Sequence, residues 1–185
     1  MVTYIVLGVI VLLVLMMVNV FNRFAKNRNV VKDAWGNIDV ALKRRYDLIP
    51  NLVETVKGYA SHEKDTLEKV IQARNAAMQV PQGDINGQIK AENQLQQTLR
   101  SIFALSESYP DLKANVNFLD LQSKLNEIEE NLERSRRYYN GTVRENNTYG
   151  ESLPGALFAG MLRYQHFDFF EADAASRENV KVDFS

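Results

Sequence analysis

Apolar residues fall into two regimes along this chain. Residues 2–21 form an unbroken uncharged run of mostly Val, Leu, Ile and Met, whereas from Arg23 onward apolar positions recur at spacings of three and four. The first regime has the length of a membrane span, since about 20 helical residues rising 1.5 Å each cover roughly 30 Å of hydrocarbon. The second has the period of amphipathic helices. Val31, Trp35, Ile38 and Leu42 make one stripe, and Ile49, Leu52, Val56 and Tyr59 another. The longest runs Phe118, Leu121, Leu125, Ile128, Leu132, Ser135, Tyr139. Alternating three-four spacing is the seam of a left-handed bundle, so the fold class is all-α. The expected architecture is an antiparallel up-and-down helical bundle of four helices preceded by one N-terminal transmembrane helix.

Breaks between helices follow from local chemistry. Val80-Pro-Gln-Gly-Asp places a helix end near Met78 and a new start near Asp84. Tyr109-Pro110-Asp111 predicts a second break with Asp111 as N-cap, then a long helix over 112–146. Residues 146–150 (Asn-Asn-Thr-Tyr-Gly) predict a loop, and Pro154 opens a short apolar helix over 155–161. Pro50 admits two readings. With Asp47 as N-cap it sits in a first turn and separates two antiparallel helices, the preferred version; otherwise one long helix passes through it, kinked. The long helix would leave the Trp35 stripe for self-association. The domains are then 1–22 (transmembrane anchor), 23–160 (helical bundle) and 161–185 (extended C-terminal tail).

Charge refines this picture. All 22 Lys+Arg and 23 Asp+Glu lie from Arg23 onward, so the polar part is dense in charge yet nearly neutral, with a net charge of −1. Such a balance gives no bulk attraction to nucleic acid. Without cysteine, disulfides, thiolate metal sites and thiol catalysis are excluded. A cleaved signal peptide would want basic residues before the apolar run and a small-x-small site after it, and neither is present. Arg23, Lys26, Arg28 and Lys32 follow the span while no basic residue precedes it. The positive-inside rule therefore puts the N-terminus outside and the bundle in the cytoplasm.

The block Lys43-Arg44-Arg45-Tyr46-Asp47-Leu48-Ile49-Pro50-Asn51-Leu52-Val53-Glu54-Thr55-Val56-Lys57-Gly58-Tyr59-Ala60 closely resembles the signature of the LemA family. So do Ala73-Arg74-Asn75-Ala76, residues 109–115, Arg136-Arg137-Tyr138-Tyr139-Asn140 and the aromatic stretch 167–171. The resemblance implies an antiparallel bundle tethered to a bacterial inner (plasma) membrane. It implies no reaction, but relatives are associated with membrane organisation and with a membrane metalloprotease.

Candidate chemistry is thin. His62-Glu63 lacks the second histidine one turn on that a zinc helix needs. Glu127, Glu129, Glu130 and Glu133 lack the Glu-x-x-His partners of bundle di-iron sites. There is no phosphate-cradling glycine loop or nucleophile elbow. No catalytic residue, metal site or cofactor is expected, and a metal-dependent hydrolase is the least favoured alternative.

The distinctive polar cluster is Arg44, Arg45, Asp47, Pro50 and Asn51, with Arg136, Arg137 and Tyr139 as a second basic-aromatic group. The arginines of the first group either grip phosphate headgroups or an acidic partner, or pair with Asp47, Glu54 or the 129–133 run and close the bundle end. The pairing reading is preferred. Trp35, Leu42, Phe167, Phe169 and Phe170 are the candidate subunit contacts. The expected function is a non-catalytic, membrane-anchored scaffold that forms homo-oligomers and organises or shapes the bilayer or a membrane protein partner. The alternative is an adaptor or regulator of a membrane protease or signalling protein.

Overall fold

The computed structural model describes residues 1–170; the alternating Val180, Val182 and Phe184 and the rest of 171–185 lie outside the described residues. Helix accounts for 81% of what is described, with no strand among the described residues, so the all-α reading holds. The elements are α1 (Val2–Lys57), α2 (Lys64–Met78), α3 (Ile85–Ser106), α4 (Pro110–Lys113), α5 (Val116–Glu151) and α6 (Gly155–Phe158). They divide into two compact units, with α1 and α5 contributing a part to each.

The first unit comprises Met1–Asp39 and Arg134–Phe169. Its α1 and α5 parts run antiparallel, because Trp35 meets Tyr139 edge-on at 5.3 Å while Phe24 meets Tyr149 at 5.2 Å. Val31, Ala34, Ile38, Tyr139 and Val143 are buried along that seam. Before it, α1 carries the only helix among the described residues long and apolar enough to cross a membrane. Its best 18-residue window has a mean hydropathy of 2.8 and is 6% buried. A core helix of a soluble protein would be covered, whereas this segment is bare, which suits membrane association.

The second unit holds Val40–Glu133 and Phe170. The end of α1, α2, α3 and the start of α5 form a helical bundle around Ile49, Leu52, Val70, Leu95, Ile102, Leu112, Phe118 and Leu132. Tyr109 Oη donates to Glu63 Oε1 at 3.1 Å and Asn115 Nδ2 donates to Tyr59 Oη at 2.8 Å. These bonds join the α1–α2 connection to the α3–α5 connection, so successive helices alternate in direction.

Three local expectations change. The helix does not turn at Pro50: α1 continues to Lys57. A proline there removes an N–H and frees the carbonyl four residues earlier, which is that of Tyr46. Arg74 of α2 supplies the missing donor, with Nε 2.8 Å from Tyr46 O. The fourth bundle helix is thus the end of α1 itself. Next, the cap of the long helix is Asn115, whose Oδ1 accepts from Phe118 N at 2.9 Å, while Asp111 lies inside the one-turn α4. Finally, residues 146–150 are helical, and α5 runs on to Glu151. The predicted breaks at Met78 and Asp84 hold, and Asp84 Oδ1 accepts from Gly87 N at 2.8 Å.

Candidate functional site

The second unit contains a closed polar network. Arg45 occupies an inward position of the α1 stripe, between Leu42 and Ile49, and Glu92 an inward position of α3, between Ile89 and Leu95. Each is 2% exposed, and they form an ion pair. Arg45 Nη1 also donates to Glu129 Oε2 at 2.8 Å, and Gln96 Nε2 reaches Glu129 Oε1 at 3.3 Å. Glu92 accepts further from the Tyr46 hydroxyl and from Gln88 Nε2, the latter at 2.9 Å. One cation thus lies between two carboxylates contributed by different helices. Removing the arginine would cost about 3–5 kcal/mol, because Glu92 would be left buried without a counter-charge. The network joins the facing sides of α1, α3 and α5.

Of the first expected cluster, only Arg45 and Pro50 serve the interior; Arg44, Asp47 and Asn51 are exposed. The arginine–carboxylate pairing foreseen with the 129–133 run is made by Glu129. Glu92, Gln88 and Arg74 were not anticipated. The signal for Glu92 lay in the pattern: a glutamate at the inward spacing of Ile89, Leu95, Leu99 and Ile102 matches an arginine at the inward spacing of Ile38, Leu42 and Ile49.

Arg136, Arg137 and Tyr139 belong to the first unit. Tyr139 is buried, and its hydroxyl donates to Asp168 O at 2.9 Å. Burial, then the negative charge of Asp168, pushes its pKa up to about 12. Arg137 is exposed and Arg136 half-buried. Of the residues proposed for subunit contact, Leu42 is 3% exposed and so makes its contacts inside the chain, while Trp35 packs on Tyr139 and stays half-buried. The antiparallel α5 supplies the cover that a long α1 was expected to lack.

The aromatic stretch is likewise held by its own chain. Asn147 Nδ2 donates to Phe167 O at 2.8 Å, and Asn147 Oδ1 accepts from Phe167 N at 3.2 Å and from Tyr164 Oη at 3.1 Å. Asn146 Nδ2 donates to Gln165 O at 3.0 Å. Two buried asparagines on α5 therefore satisfy backbone groups of Gln165 and Phe167 in a stretch with no strand partner among the described residues. Phe167 and Phe169 are half-buried and Phe170 is buried.

An open groove of about 540 Å³ lies in the second unit between the end of α1 and α2, with Val53, Leu67 and Ile71 among its lining residues and Glu54, Lys57, Lys64 and Glu68 carrying its charges. Among the described residues, no group of three or more His, Asp or Glu side chains is placed to hold a metal ion. His62 is exposed in the α1–α2 connection.

The family model for the LemA family matches residues 34–184, which takes in the Pro50 block and all but the last residue after it. A relative from Metamycoplasma hominis, named Protein LemA, is 23% identical over 159 residues, covering 86% of this chain and 72% of that protein. Since the family match spans well over half of the sequence, the chain belongs to the LemA family.

Proposed function

We propose that this protein is a non-catalytic, membrane-anchored helical scaffold that self-associates and organises or shapes the membrane or its protein partners. The observation that carries the reading is the uninterrupted course of α1 within the first unit. A bare apolar span passes without a linker into a segment packed on α5 from Phe24 onward. A flexible leash would suit a binding module that searches for its target. A helix with no break instead holds the packed domain at a set distance from the bilayer, as a structural element requires. The ion pair of Arg45 with Glu92 is closed to solvent and fits an architectural role.

Arg23, Lys26, Arg28 and Lys32 after the span support an orientation with the N-terminus outside and the bundle in the cytoplasm of a bacterium, at its plasma membrane. Copies anchored in one membrane gain avidity that a single contact lacks. The test is the size of the full chain in mild detergent beside a chain lacking residues 1–22. A discrete assembly of several copies is expected for the full chain. A monomer in both forms would overturn self-association and turn the reading toward an adaptor of a membrane protease or signalling protein.

A further inference from the structure

Beyond the end of α5, the chain makes a cap before it returns. Residues 152–163 follow Glu151, and 164–168 then run back along α5, tied to Asn146, Asn147 and Tyr139. Arg163, at φ 50°, lies where the reversal is completed. Because α5 runs antiparallel to this part of α1, the cap extends toward the apolar span.

Its height along α1 is fixed by contacts with Phe24, three residues past the end of the uncharged run. The Tyr164 ring lies 5.4 Å from that of Phe24, and a Cβ built on Gly155 would approach Phe24 Cζ to 3.4 Å. The same Cβ would overlap the carbonyl oxygen of Tyr149, so the backbone here is pressed against α5 as only glycine permits. Within the otherwise bare span, Val20 is 1% exposed and Met16 and Met17 are half-buried. Positions 16, 17 and 20 share one helical face, so cover from the protein reaches into the last turns of the span on that side.

The outer side of the cap is apolar. Leu153 is 74% exposed, and Leu157 and Met161 are each 67% exposed, all within nine residues of one another. Exposed groups of this kind mark interaction surfaces. Cations stand at the same level, with Arg23 over the Tyr149 ring at 5.1 Å and Arg28 and Arg163 lining a small notch of about 50 Å³ beside Phe21 and Phe24. Apolar side chains with arginines at the end of a membrane span fit the boundary between acyl chains and anionic headgroups.

We infer that residues 152–163 form an interfacial collar that inserts Leu153, Leu157 and Met161 into the lipid surface crossed by α1, giving the first unit a second membrane contact. This rests on the reading of residues 2–21 as a membrane span, and the test separates the two. The chain has no cysteine, so single substitutions Leu157→Cys and Met161→Cys carry an environment-sensitive fluorophore at exposed sites. Leu12→Cys marks the span and Ser123→Cys, exposed on α5, marks water.

In phosphatidylcholine–phosphatidylglycerol vesicles, the probes at 157 and 161 are expected to shift to the blue. They are also expected to lose emission to a spin label placed high on the lipid acyl chain, while the probe at 123 is quenched only by aqueous iodide. Quenching of 157 and 161 by iodide and not by lipid, with 12 still quenched by lipid, would overturn the collar alone. Shielding of 157 and 161 from both quenchers would assign the patch to a protein surface and overturn it as well. Loss of lipid quenching at 12 would overturn the span and the collar together.

Discussion

Arg45 and Glu92 are each ordinary in composition and unusual in place, because a stripe that buries Ile38, Leu42, Ile49 and Leu52 also buries a guanidinium. Electrostatics decides the consequence. Either charge alone in that interior is severely penalised, whereas an apolar pair of similar volume is not. Arg45→Met alone, which strands the buried Glu92, should therefore lower unfolding stability by about 3 kcal/mol or more. Glu92→Leu alone, which leaves Arg45 paired with Glu129, should cost less, and the double substitution should recover most of the first loss. Denaturant unfolding of the four forms measures this, and simple additivity of the two losses would contradict the paired network.

Tyr139 makes a separate, pH-dependent claim. Burial raises its pKa from 10.0 to about 12, so the folded state holds the phenolic proton more tightly than the unfolded chain does. Its contribution is complete below pH 10 and is lost as the pH climbs from there through about 12. Tyr139→Phe should lose about 1 kcal/mol at neutral pH with the bond to Asp168 O. It should also show a shallower fall in stability above pH 10 than the parent. Denaturation midpoints across that pH range check both signs.

At the scale of elements, Pro50 and Arg74 act together. The proline frees the Tyr46 carbonyl, and the arginine one helix away binds it. Arg74→Ala should cost about 1–3 kcal/mol in the parent, and less once Pro50→Ala has restored the helical N–H. Equal losses in the two backgrounds would show that the bond to Tyr46 does not depend on the proline.

The pair also explains what was legible in the sequence. Ends governed by local chemistry, at Met78 and Asp84, were readable because the deciding residues are neighbours. The passage through Pro50 was not, since its compensating donor is 28 positions from Tyr46. Residues 146–150 carry the composition of a loop, yet their asparagines find partners at Tyr164, Gln165 and Phe167, 17 to 20 positions on, and stay helical. The arginine–carboxylate pairing was half-visible. The arginines were expected to pair with Asp47, Glu54 or the 129–133 run, and Glu129 of that run is the partner of Arg45, but Glu92 was hidden among the polar residues of α3 until its stripe was matched to that of α1.

At the scale of the whole molecule, the family is fixed and one N-terminal helix is suited to a membrane. What the protein accomplishes there follows, in the proposed account, from several anchored copies acting together. Leu42 is buried within the chain, whereas Trp35 packs on Tyr139 and keeps part of its surface open, and the surfaces of association need not be known to test it. The direct measurement is energy transfer between donor- and acceptor-labelled full-length copies in lipid vesicles, as lipid is added at constant protein. Self-association predicts that transfer persists as the copies are diluted over more membrane. A fall in proportion to surface density, as for independent molecules meeting by chance, would contradict it.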